Sequence, residues 1–339
     1  MAVTSYKAIV LTEPGPEPKY ELQELPLPAL GPSDVLVKLS ATGVCGTDLG
    51  LAAGALGPTQ SILGHEGVGR IVKLGSAVAN DPSIRIGQRT GVSWIRDVCE
   101  PRCIEQIHSG RKVDGTFGQY TVVPSRYLIP LPDGPSDEQL APILCAGVTA
   151  YKALKLCAVS SEQWVGVIGS GGAVGSMALQ YAKAMGYRTV AIDAGAEKGR
   201  ISRDHGADEY IDVLQIEDVP AAVASITGGH GVAAALAIAG KASAYKAALH
   251  SIAPFGTLVC VGIPPLSEEV SFHPLLLIDK GIRIIGSAVG TRDDIREAVE
   301  LLVSGKVVPD VQVIEFDKLI SVLDPKCANQ GAKYVVRIP

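Results

Sequence analysis

The sequence predicts a two-domain α/β protein, a compact β-barrel-like domain joined to a doubly wound parallel sheet. Three observations carry that prediction. A chain of 339 residues is longer than one hydrophobic core usually fills. Its first part is cut by glycine and proline into short strands. From about residue 150 onward, strands and helices alternate, the pattern of a parallel sheet with crossover helices.

Residues 7–40 read as short strands, because Pro14, Pro16, Pro18, Pro26, Pro28 and Pro32 leave no room for a long helix. The segment 34–39 is a strand that delivers the chain to Gly43-Val44-Cys45-Gly46-Thr47-Asp48. Gly64, Gly67, Gly69, Gly75 and Gly87 follow, with strand-like sequence at 68–72. Around 140–154 the pattern turns helical. Strands are then expected at 165–168, 188–193, 209–213, 232–239, 256–261 and 281–286. Helices are expected at 176–185, 198–205, 219–226, 244–252 and 292–303, with a last strand at 334–336. The tail from Ser287 is expected to return to the first domain.

The second domain is organised around the stretch from Val165 to Gly175. Apolar residues run into the turn Gly169-Ser170-Gly171-Gly172-Ala173-Val174-Gly175, and a helix follows. Glycines here permit a tight turn and let a phosphate reach backbone N–H groups at the positive end of the helix. A bare turn of this kind is also used for simple strand-to-helix packing. The second strand, however, ends in Asp193, 18 residues beyond Gly175. That is close to the roughly 20 expected for a carboxylate on an adenosine ribose. The stretch reads as a dinucleotide site.

Bulk properties exclude several classes. Apolar content of 47% with 19% charged residues excludes a disordered chain. A net charge of −5 gives no basic footprint for nucleic acid. No apolar run approaches the roughly 18 residues of a membrane span, and the N-terminus lacks a secretory pattern. Seven cysteines in such a chain read as thiols or metal ligands. The cytoplasm is the expected location, with neither membrane nor nucleic acid as partner.

Cys45, the pair His65-Glu66 and Cys145 are the metal candidates. Two thiolates and an imidazole with an open fourth position suit a catalytic zinc. Singly, a buried cysteine is a small hydrophobe and a histidine after glycine a turn residue, so spacing alone leaves both readings open.

Residues 43–48, Gly64-His65-Glu66-Gly67-Val68-Gly69, 141–154 and 180–188 together resemble zinc-dependent alcohol dehydrogenases of the medium-chain dehydrogenase/reductase superfamily, nearest the yeast-type branch. The resemblance spans nearly the whole chain. It implies a GroES-like β-barrel catalytic domain at 1–148 and 287–339, with a Rossmann domain at 149–286. It implies one catalytic zinc on Cys45, His65 and Cys145, with Glu66 beside it or as an occasional fourth ligand. Thr47 matches the hydroxyl that passes the alcohol proton toward the cofactor ribose, and Asp48 orients His65. The glycine-rich turn (Gly169, Gly171, Gly172, Ala173, Val174, Gly175), Asp193, Lys198, Val261, Val289 and Lys333 are the implied cofactor positions, Lys333 standing where a pyrophosphate-binding arginine is usual. Asp193 disfavours a 2′-phosphate and Ala194 offers no compensating arginine, so NAD(H) is expected over NADP(H).

The sequence departs from the family in three places. The structural-zinc lobe keeps only Cys99 and Cys103, with His108 nearby, so the second zinc is expected to be absent. Gly50 stands where the proton relay ends in histidine. Small residues at 51–57 replace bulky aromatics, leaving Trp94 as one wall and room for a large substrate. The expected activity is hydride transfer between NAD(H) and a bulky aldehyde, ketone or alcohol. The alternatives are reduction of a conjugated alkene or iminium on the same fold and, less favoured, a non-catalytic dinucleotide-binding protein. The resemblance also implies a homo-oligomer, dimer or tetramer, joined through apolar segments at 275–278 and 282–285.

Overall fold

A computed structural model describes residues 3–98, 106–324 and 333–339. The chain folds into two units, residues 1–145 with 309–339, and residues 146–308.

In the first unit, β1 (Ser5–Glu13) and β2 (Lys19–Pro26) form an antiparallel hairpin that pairs Leu11 with Tyr20. The prolines between them keep the connection short, as the sequence suggested. β3 (Asp34–Gly43) is the central strand of the barrel-like sheet. Val35, Val37, Leu39 and Ala41 are 1% exposed or less, the period of two that a buried strand face requires. α1 (Gly46–Ala52) starts directly after it, a helix that the sequence reading did not separate from the motif. β4 (Gly67–Leu74), β5 (Arg89–Val92), β6 (Ile95–Asp97), β7 (Ile107–His108), β8 (Tyr120–Pro124) and β9 (Ile129–Pro130) follow, then α2 (Asp137–Leu140) and a short 3₁₀ turn ending at Leu144.

The second unit opens with α3 (Ala146–Cys157) and continues β10 (Trp164–Ile168), α4 (Ala173–Ala184), β11 (Arg188–Asp193), α5 (Ala196–Asp204), β12 (Glu209–Asp212), α6 (Val219–Ile226), β13 (Val232–Ala237), α7 (Ala242–His250), β14 (Ile252–Cys260), α8 (Pro274–Lys280), β15 (Arg283–Gly286) and α9 (Arg292–Val303). The strands lie parallel in the order β12-β11-β10-β13-β14-β15. Connections run one way from β10 to β12 and the other way from β13 to β15. The turn after β10 therefore stands at the switch point, where open parallel sheets bind their ligands.

The chain returns at residue 309 with β16 (Val311–Glu315), α10 (Leu319–Val322) and β17 (Lys333–Arg337). These complete the sheet β16-β17-β3-β4-β5-β9; β8 pairs the first half of β3 and β17 its last residues. The sequence placed the domain limits at 148/149 and 286/287, whereas the two units meet at 145/146 and 308/309. The shift has a physical cause. α9 is capped by Thr291, whose Oγ1 accepts from the Asp294 N–H while Asp294 Oδ2 accepts from the Thr291 N–H. Lys155 of α3 then reaches Asp294 Oδ1 at 2.8 Å and Glu297 Oε2 at 2.7 Å, and Ile295, Ala298, Val299 and Leu302 are buried. These interactions hold α9 to α3 in the second unit. Among the described residues, no single helix is long and apolar enough to cross a membrane.

Candidate active site

Cys45, His65, Glu66 and Cys145 come together in the first unit, their ligand atoms all within 4.8 Å of one another. Cys45 sits at the junction of β3 and α1, His65 and Glu66 immediately before β4, and Cys145 at the end of the 3₁₀ turn. Cys45 Sγ lies 3.9 Å from Cys145 Sγ, and His65 Nε2 lies 3.3 Å from Cys145 Sγ. A tetrahedral zinc with Zn–S bonds of about 2.3 Å would put two sulfurs about 3.8 Å apart. The donor set fits that ion.

Asp48 builds the cluster from beneath. Fully buried, its Oδ2 accepts from the Cys45 N–H at 3.0 Å, and its Oδ1 accepts from the Gly64 N–H at 3.1 Å and from His65 Nδ1 at 2.9 Å. With Nδ1 engaged by Asp48, the His65 ring turns its Nε2 toward the ligand position. Burial opposes a charge on His65, but the Asp48 carboxylate outweighs it and holds the imidazole pKa well up in the metal-free protein. A hydrogen bond from Cys145 lowers the Cys45 thiol well below its ordinary range, against burial and with help from Lys333 and His65. That same bond, with burial, raises Cys145.

Glu66 is fully buried. Lys333 Nζ donates to its Oε1 at 2.6 Å, and its Oε2 has no partner. Burial raises its pKa to about 7 despite Lys333. Lys333, read from the sequence as a pyrophosphate contact, is itself buried against this carboxylate. Thr47 is half-buried, with its Oγ1 3.7 Å from Cys45 Sγ. Its hydroxyl makes no helix-capping bond, because the cap of α1 is made by Asp48. Beside Gly50, where a Cβ would stand, Leu56 Cδ1 lies 3.0 Å away and fills the space with hydrocarbon. Trp94 packs edge-on to His65 at 5.2 Å, and His108 stacks on Trp94 at 4.7 Å. Cys99 and Cys103, and with them the altered lobe, lie outside the described residues.

The second unit holds the other half of the prediction. Gly169 adopts φ +93°, which the tight turn requires, and a Cβ on Gly175 would run into the Gly169 carbonyl oxygen. The N–H of Gly171 donates to Asp193 Oδ2 at 2.8 Å, and Lys198 Nζ donates to the Gly171 carbonyl at 3.1 Å. Gly172 stands at the N-cap of α4, with Ala173 and Val174 in its first turn. Val261 follows β14, its N–H bound to the Ala237 carbonyl at 3.1 Å. Val289 takes φ +40°, a genuine outlier for a β-branched residue. Near it Ser287 carries a buried hydroxyl without a partner. Sequence reasoning missed Ser287, since a serine after a glycine carries no signal until its burial is known.

Comparison with known proteins is decisive. Residues 31–133 match the alcohol dehydrogenase GroES-like domain family, and residues 173–304 match the zinc-binding dehydrogenase family. An alcohol dehydrogenase of Geobacillus stearothermophilus is 38% identical over 317 residues, covering 90% of this chain and 91% of that protein. The chain belongs to the zinc-dependent alcohol dehydrogenases of the medium-chain dehydrogenase/reductase superfamily. Solved relatives share the whole architecture. An acetophenone reductase from Geotrichum candidum in complex with NAD gives a TM-score of 0.85 at 26% identity, covering 100% of this chain and 98% of that one. A putative zinc-binding dehydrogenase from Sinorhizobium meliloti bound to NADP gives 0.88 at 25% identity, covering 99% and 100%. This family member is a zinc-dependent, nicotinamide-linked oxidoreductase of alcohols and carbonyls.

Proposed function

We propose that it transfers hydride between NAD(H) and a bulky aldehyde, ketone or secondary alcohol, with one catalytic zinc per subunit and no structural zinc. The observation that carries this reading is the Cys45–His65–Cys145 cluster with the Thr47 hydroxyl against it. Zinc held there supplies a Lewis acid for the carbonyl oxygen, and the nicotinamide supplies or accepts the hydride. Asp48 fixes the tautomer and direction of His65. Thr47 takes the alcohol proton at Oγ1. With Leu56 filling the space beside Gly50, that proton leaves without a histidine. Lys333 neutralises Glu66, keeping its carboxylate available beside the metal ligands.

The preference for NAD(H) is supported by Asp193, whose carboxylate faces the turn where adenosine ribose hydroxyls would bind and a 2′-phosphate would be repelled. Lys198 Nζ is engaged with the Gly171 carbonyl. The remaining cofactor contacts are assigned to the Gly169–Gly175 turn, Val261, Val289 and, newly, Ser287. Small side chains at 51–57 support a large substrate. A homo-oligomer is supported by the edge strand β15 and by α8, which buries no residue and leaves Leu275 53% and Ile278 74% exposed.

The test measures metal per subunit together with NADH oxidation by bulky aldehydes. About one zinc with aldehyde-dependent turnover is expected, and Cys45→Ser should lower kcat/KM by at least about a thousandfold while NADH still binds. A Cys45→Ser variant with full turnover would sink zinc-centred catalysis. Two zincs per subunit would show that the altered lobe still binds metal.

A further inference from the structure

Resting on the carbonyl reading above, the geometry points to the guanidinium of Arg111 as an anion-recognising subsite, so that preferred substrates carry a carboxylate at the end remote from the reacting carbon. The argument begins at the metal cluster. Trp94 touches both His65 and His108, with ring centroids 5.2 Å and 4.7 Å away. Arg111 follows three residues after His108, in the turn that carries the ring stacked on Trp94.

Its backbone is fixed by a tight turn. The His108 carbonyl accepts from the N–H groups of Arg111 at 3.3 Å, Lys112 at 3.0 Å and Val113 at 3.3 Å, while Gly110 takes φ +73° and donates to the Val113 carbonyl at 2.8 Å. The turn is tied to the small-residue loop after α1. The Gly110 carbonyl accepts from Thr59 Oγ1 at 2.6 Å and from the Gln60 N–H at 3.0 Å. Arg111 Nη2 thereby lies 3.6 Å from the position a Cβ would take on Gly57. This is the loop that the sequence reading associates with the substrate, and a Cβ on Gly54 would meet nothing within 4 Å.

Arg111 is half-buried, yet its side chain has neither a hydrogen bond nor an ion pair with any described residue. Elsewhere in this unit the arginines that approach the interior are matched: Arg89 by Asp137, and Arg96 by Ser109, Thr121 and two carbonyls. A partly desolvated guanidinium without a partner retains its whole donor fork for a ligand, and a carboxylate is the group that fork fits. Burial first, and then the charges of Arg111 and Lys112, hold the His108 pKa down at about 4, so positive potential at this wall is already felt by a neighbour.

The test compares two aldehydes of nearly equal shape, 4-carboxybenzaldehyde and methyl 4-formylbenzoate, in NADH-dependent reduction by the zinc-loaded enzyme. The wild type should favour the acid in kcat/KM, chiefly through KM. Arg111→Gln should lower the acid-to-ester ratio by roughly tenfold or more, the scale of one charge-assisted hydrogen bond, and Arg111→Lys should restore part of it. Raising ionic strength should raise KM for the acid and not for the ester, an arm that needs no variant. A ratio unmoved by Arg111→Gln, or a salt response shared by both substrates, would overturn the subsite while leaving carbonyl reduction intact. No turnover of either aldehyde would overturn the carbonyl reading and the subsite with it.

Discussion

The metal cluster and the glycine-rich turn are two sites built on opposite principles. The first is made of side chains brought from residues as far apart as Cys45 and Cys145, and its geometry depends on a buried carboxylate beneath them. The second is made of backbone within a few residues of Gly169, and its geometry depends on what side chains are missing. The difference separates the consequences of mutation. Damage to the first should cost metal and leave the dinucleotide bound, whereas damage to the second should do the reverse.

Of the variants that separate the two sites, Asp48→Asn gives the largest expected effect. The asparagine amide must turn its NH₂ toward the Cys45 N–H or toward the Gly64 N–H and His65 Nδ1–H, setting a donor against donors in a dry site. Zinc affinity, read by competition with a chelator, should fall roughly 10–100-fold, with NADH binding unaltered. Unchanged zinc affinity would mean that Asp48 does not orient His65.

Gly175→Ala tests the other site. Besides meeting the Gly169 oxygen, the new Cβ would lie 2.6 Å from the Ser170 Cα, so backbone must move. Overpacking of this kind costs about 1–3 kcal/mol. NADH affinity, followed by fluorescence titration, should weaken by about tenfold while zinc content stays at the wild-type value. Loss of zinc in this variant would break the separation between the two sites.

The smallest expected effect lies on the wall of the metal site. Between about pH 6.5, the ordinary imidazole value, and about pH 4, the unfolded chain binds a proton that folded His108 refuses. Its contribution to stability is therefore present above pH 6.5 and lost as pH falls through that window. His108→Phe keeps a ring against Trp94 and removes the titration. Its melting temperature should fall less steeply than the wild type's between pH 6.5 and pH 4. Parallel curves would show that His108 is not held neutral by the fold.

Much of this was legible without coordinates, and for a local reason. Strand–turn–helix at 165–185, Asp193 at the end of the next strand and the helix Arg292–Val303 are written in neighbouring residues. Such periodicity survives in a one-dimensional reading. The four metal candidates were legible only because four motifs were taken together, since nothing local joins residue 45 to residue 145. α8 escaped notice because its apolar run Leu275-Leu276-Leu277-Ile278 reads equally well as a strand.

By itself the sequence determined the two-part α/β plan and pointed to the dinucleotide turn and to the residues proposed to hold the metal. The plan and the turn follow from short-range pattern, the metal candidates from four separate motifs taken together. Only the tertiary structure decided that Lys333 spends its charge on Glu66, that α9 stays with α3, that Leu56 fills the space beside Gly50 and that Arg111 has no partner among the described residues. Each of these is a question of which distant group arrives beside a side chain, and of whether water is excluded when it does. Burial and pairing are properties of the packed molecule, so no reading along the chain could have supplied them.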